Sequence, residues 1–73
     1  MFLAGHNIKI DLCKRNLTQV WLCEQLANRG INTDKSELSS VLSGTRRGQK
    51  ADLIIKTSQD IISSYDAAKK KKG

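Results

Sequence analysis

Five glycines and not one proline set the first limit on this chain, because every break between elements must then be made by glycine or by a capping side chain. Gly5, Gly30, Gly44, Gly48 and Gly73 leave an N-terminal, a middle and a C-terminal segment. Within each segment the apolar residues recur at three and four and do not alternate, which predicts helices and no strands. With 73 residues there is enough surface for one core only, since a chain of this size buries roughly 60% of what it exposes unfolded. Aromatic residues are limited to Phe2, Trp21 and Tyr65, so that core must be built from Leu, Ile and Val.

Four helices follow from the pattern. Ile8 and Leu12, four apart, predict a first helix over about residues 8–15, with Lys9, Lys14 and Arg15 exposed. Thr18 is placed to cap a second helix, from Gln19 to about Asn28, with Leu22 and Leu26 as its apolar ridge and Gly30 as its left-handed stop. Asp34-Lys35-Ser36-Glu37 has the form of a capping box, the Asp34 carboxylate taking the Glu37 amide and the Glu37 side chain returning to the amide of Asp34. The third helix, residues 34–43, then ends at Gly44, with Leu38, Val41 and Leu42 facing inward. From about Gln49 the set Ala51, Ile54, Ile55, Ser58, Ile61, Ile62 and Tyr65 forms one long amphipathic helix, with Leu53 off the stripe. Residues 1–66 are thus expected to make a single domain, and 67–73, with nothing to bury, a disordered basic tail.

The formal charge is +6, of which the lysine run 69–72 supplies four, leaving 6 − 4 = +2 for the rest. That balance favours an anionic partner, though the position of the charges says more than their sum. Cys13 and Cys23, ten apart, match no metal or redox spacing and are expected reduced, each as a small hydrophobe beside an apolar face. A metal site from His6, Cys13 and Cys23 would lack a fourth ligand, so no metal or other cofactor is expected. Residues 1–10 have neither the basic start nor the long apolar stretch of a signal peptide, and no segment has the roughly 20 apolar residues of a membrane span. A cytoplasmic protein with no membrane partner is the expectation, and the sequon Asn16-Leu17-Thr18 then has no consequence.

The third helix carries the functional signal. At about 100° per residue Ser36, Ser39, Ser40 and Ser43 share the face opposite Leu38, Val41 and Leu42. Serine is a mediocre helix former, but it projects little, so a serine face lets the helix axis approach what it meets. A major groove about 12 Å wide admits one such helix, and hydroxyls can donate to or accept from base edges. Lys35, Ser36, Ser39, Ser40 and Ser43 are therefore the candidate base-contacting residues, and Glu37 could accept from a cytosine amino group. The turn that follows, residues 44–50, holds Arg46, Arg47 and Lys50, candidate phosphate contacts that would set register and salt dependence. Thr18 and Gln19, opening the second helix, are candidates for the same role, while Trp21 is read as core packing.

Leu17-Thr18-Gln19, Leu22 and Leu26, then Leu38-Ser39-Ser40-Val41, Ser43-Gly44 and Arg46-Arg47, resemble the phage Cro and repressor type of helix-turn-helix family over about residues 8–62. The resemblance implies a compact four-helix domain with a helix-turn-helix and a long C-terminal helix, binding a specific operator in double-stranded DNA, usually as a dimer, and regulating transcription of phage or mobile-element genes. The chain departs from the family's pattern at residues 27–33, where the family makes a tighter turn, at Cys23, where it carries alanine, and in a fifth helix that is fused with the fourth or missing.

A second reading keeps the scaffold and changes its use, since fold does not fix function: a protein-interaction module such as an antirepressor or an inhibitor of a host protein. An enzyme or a small-molecule site is not expected, because one histidine near an end and no nucleophile and base at a telling spacing leave nothing to assemble. Whether the isoleucines of the last helix serve only the core or also a twofold partner stays open.

Overall fold

The computed structural model describes the backbone of residues 4–72 and the side chains of residues 7–69. Its described residues form four helices and no strand: α1 (Ala4–Lys14), α2 (Gln19–Asn28), α3 (Lys35–Leu42) and α4 (Gln49–Lys72). The all-α architecture with a long last helix is as the periodicity predicts.

Three of the helices stop in the same way. After α1, Asn16 takes a left-handed φ of 57° while Leu17 N donates to Leu12 O at 2.9 Å and Asn16 N to Cys13 O at 3.1 Å. Gly30 (φ 85°) and Gly44 (φ 84°) occupy the equivalent place after α2 and α3, with Ile31 N donating to Leu26 O and Thr45 N to Ser40 O. This paired 6→1 and 5→2 bonding is the Schellman arrangement, in which the residue after the left-handed one folds back beside the last turn. At the first two stops that residue is apolar, and Leu17 and Ile31 both join the core. At the third it is Thr45, which is exposed, so α3 exits to solvent and the following turn stays on the surface.

The helix starts are also side-chain work. Thr18 Oγ1 accepts from Trp21 N at 3.0 Å, and Asp34 Oδ1 accepts from Glu37 N at 2.7 Å, each satisfying an amide that a helix leaves unpaired at its start.

One core unites the four helices. Ile8 and Leu12 from α1, Leu22 and Leu26 from α2, Leu38, Val41 and Leu42 from α3, and Ala51, Ile54, Ile61 and Ile62 from α4 are all buried, with Ile31 from the α2–α3 link. α4 packs against each of the other three helices. Trp21 and Cys23 pack on the edge of this core as expected for Trp21, and Leu53 stands half exposed, off the stripe.

Several expectations are corrected. α1 begins at Ala4, a turn before residue 8, and ends at Lys14. Arg15 is not a solvated end but lies across to α4, where its Nε donates to Asp66 Oδ1 at 2.8 Å and its Nη1 donates to the carbonyl of Asp11 at 2.8 Å. The Asp66 carboxylate accordingly holds this guanidinium above its ordinary range, against the opposing effect of burial. Cys13 is exposed and not a buried hydrophobe, since it sits one residue, about 100°, off the Ile8–Leu12 stripe. The helix continues past Tyr65 to Lys72, over the segment expected to be a disordered tail, and the physical basis is local: Ala67, Ala68 and lysine are good helix formers, and Asp66 is anchored. Gly73, the last residue of that expected tail, lies outside the described residues, as do the side chains of the lysines from 70 on and of His6.

Candidate nucleic-acid interface

The inward side of α3 is fully committed, with Leu38, Val41 and Leu42 at no more than 1% exposure. What remains for any partner is the outer side. Lys35 and Ser36 are exposed there, while Ser39 and Ser40 are half-buried, so the serine face is a shallow strip and not a projecting ridge. Ser43 has a local duty. It is the C-cap residue of α3, its hydroxyl donating to Ser40 O at 3.2 Å and lying 3.2 Å from Thr45 Oγ1.

Beside this strip the carboxylate of Glu37 gathers three donors. Thr33 Oγ1 donates to its Oε1 at 2.8 Å, Lys50 Nζ donates to the same oxygen at 3.2 Å, and Arg46 Nη1 lies 3.7 Å from Oε2. The capping-box expectation is thus half met and half corrected. Asp34 caps Glu37, but Glu37 does not turn back to the Asp34 amide, because a neutral hydroxyl and two cations compete for it from the link, the turn and the start of α4. The hydroxyl bond from Thr33 and then that from Lys50 hold the Glu37 carboxyl below its usual range, with the charges of Lys50 and Arg46 adding to the effect and burial opposing it.

Asp34, Ser36, Glu37, Ser40 and Arg46 line a cleft of about 360 Å³ on this side of the molecule. Two of those residues are acidic and one basic, so the cleft is not itself an anion site; its cations stand at the rim. Arg46 and Lys50 are more than half exposed there. Arg47 is exposed on the same turn and, among the described residues, makes no ion pair.

The structure therefore brings Ser36, Ser40, Arg46 and Lys50 together around Glu37, keeps Lys35 and Arg47 exposed nearby in the chain, and turns Ser43 into a cap. Thr18 and Gln19 belong to a different element. No hydrogen bond or ion pair among the described residues joins them to the α3 group; they relate to it only through the packing of α2 on α3. Thr33 and the gathering role of Glu37 escaped sequence reasoning, since a threonine one place before a cap signals nothing by spacing. Among the described residues no three His, Cys, Asp or Glu side chains gather where they could hold a metal ion, and no helix is long and apolar enough to cross a membrane.

No family model matches this chain, and neither does any curated protein or solved structure.

Proposed function

We propose that this chain is a sequence-specific double-stranded DNA-binding regulator of transcription, of the kind phages and mobile elements use, with α3 entering the major groove. The observation that carries the reading is the two-sidedness of α3 and of its exit. The helix is anchored by three buried residues on one side, presents a thin hydroxyl strip with Lys35 on the other, and releases the chain through a polar cap into a turn with Arg46, Arg47 and, at the start of α4, Lys50. A thin strip lets the backbone of α3 approach base edges, and cations at its rim are where phosphates flank a groove-bound helix. Ser36, Ser39 and Ser40 with Lys35 then meet bases. Ser43 meets them only by giving up its cap, and Arg46 and Lys50 reach phosphates by exchanging the carboxylate of Glu37 for the DNA backbone. Thr18 and Gln19, at the start of α2, face the backbone in the same docking. A twofold partner would make the site pseudo-palindromic.

The test is enrichment from random duplexes by the wild-type protein and by S39E/S40E at two salt concentrations, with thermal melting as the check on folding. A recurrent motif that the folded variant loses is the expected result; binding without a motif that survives the substitution would sink the reading.

A second reading, a helix-turn-helix scaffold that docks a protein such as a repressor or a host factor, is favoured by one specific observation. Asp34 and Glu37 sit within the candidate surface, and Glu37 pairs with both Arg46 and Lys50, which weakens attraction to a polyanion. It expects a partner surface that carries its own cations.

A further inference from the structure

The lysines at the end of α4 carry four of the six net positive charges, yet by composition alone they read as a free tail. Their place in the fold is more definite. Tyr65 meets Trp21 edge to face, ring centroids 5.6 Å apart and planes at 76°, and Lys69 Nζ lies over the Tyr65 ring at 5.6 Å from its centre. Trp21 is the third residue of α2, and its amide is the one bound by the Thr18 hydroxyl. One residue beyond Tyr65, Asp66 is held by Arg15 from the end of α1. The last described turns of α4 are thus pinned on two sides, to α1 and to the first turn of α2, and α4 remains helical to Lys72.

We infer that the helical lysine run 69–72 is a positioned cationic element that meets the DNA backbone beside the start of α2. The inference rests on the DNA-binding reading above and adds to it a second patch of phosphate contacts, on a different element from Arg46, Arg47 and Lys50. When α3 occupies the major groove, the beginning of the preceding helix comes to lie over the phosphate backbone. The Trp21–Tyr65–Lys69 stack holds α4 at that same corner of the domain where the lysine run begins. Tyr65 and Lys69 share a helical register, four apart. Like charges one turn apart disfavour a helix, so a run of four that is nevertheless helical gains most from a surface that neutralises it. A polyanion with regularly spaced charges is such a surface.

Each phosphate neutralised contributes about 0.9 to the slope of log affinity against log salt. The experiment compares three proteins on a mixed-sequence duplex between about 50 and 200 mM salt: wild type, K69Q/K70Q/K71Q/K72Q, and wild type with two glycines inserted between Asp66 and Ala67. The insertion keeps every charge and the whole core but releases the run from its pins. Expected are a slope shallower by about two to four in the glutamine variant and the loss of most of that same increment in the insertion variant, with an unchanged sequence motif in both. A glutamine variant with the wild-type slope would overturn the inference and, if it still enriches the motif, leave the DNA-binding reading intact. A full wild-type slope in the insertion variant would overturn it too, making the lysines a free tail. A wild type that binds no duplex overturns both, and its capture by vesicles containing anionic phospholipid would then assign the run to a membrane surface.

Discussion

Ser58 is fully buried in the stripe of α4, and among the described residues its hydroxyl has no hydrogen-bond partner. A buried hydroxyl left unpaired costs roughly 1–3 kcal/mol of desolvation, and serine is in addition a poorer helix former than alanine. Replacing it should therefore stabilise the fold despite the small loss of volume. S58A is expected to raise the midpoint of thermal unfolding by several degrees, at about 4–8 °C per kcal/mol for a domain of this size. A lower midpoint would mean that the hydroxyl is engaged in the native protein. Other single residues show what pattern reading can and cannot reach. The pattern puts Cys13 beside an apolar face, yet one position along a helix from Leu12 is 100°, enough to put it in solvent. Arg15 reads as exposed because its partner Asp66 is 51 positions away, and no local rule connects the two.

Elements were more legible where their ends are chemical. The starts of α2 and α3 follow from Thr18 and Asp34, and their stops from Gly30 and Gly44, because a cap is a short-range bond between residues three to five apart. α1 has no comparable start signal, and it begins four residues before the first apolar pair marks it. The link between α2 and α3 hid a core residue, Ile31, since helical periodicity is silent about an extended segment. A readable signal was there all the same: an apolar residue directly after the left-handed glycine is the one the Schellman arrangement folds inward. The candidate site was legible as a list of side chains on α3 and its turn but not as a network. Glu37 joins the α2–α3 link, the turn and α4 through Thr33, Arg46 and Lys50. That junction has a pH signature. Because the native carboxyl titrates below its ordinary value, its contribution to stability is fully present above the unfolded value, about 4.3, and is lost as pH falls through the lower native one. Wild type should melt above E37Q by a constant margin from neutrality down to about pH 5, and the margin should close at lower pH. A margin that ignores pH would show that the charge of Glu37 is not what ties the three elements together.

At the scale of the whole molecule α3 and α4 each pack on all three other helices, and α4 is the longest of the four. Ile54 is at the centre of that arrangement and is fully buried. Truncating such a side chain costs roughly 2–5 kcal/mol, a large share of the 5–15 kcal/mol that holds an ordinary domain together. I54A should therefore melt far below wild type. Trp21 fluorescence, reporting the α2–α4 contact, and far-ultraviolet circular dichroism, reporting all four helices, should still change together in both proteins. Separate transitions for the two signals would mean that α4 is not shared by one core.

The packing of α4 on every other helix also sets when the core can close. The residues that close the core, from Ala51 to Ile62, are made after everything they cover. During synthesis Leu22, Leu26 and Leu38 are without the α4 side of their surroundings until Ile62 has been made, and a chain stopped at Gly48 keeps only the packing of α1 and α2 on α3. The order of synthesis therefore leaves the core open until its last side has been made.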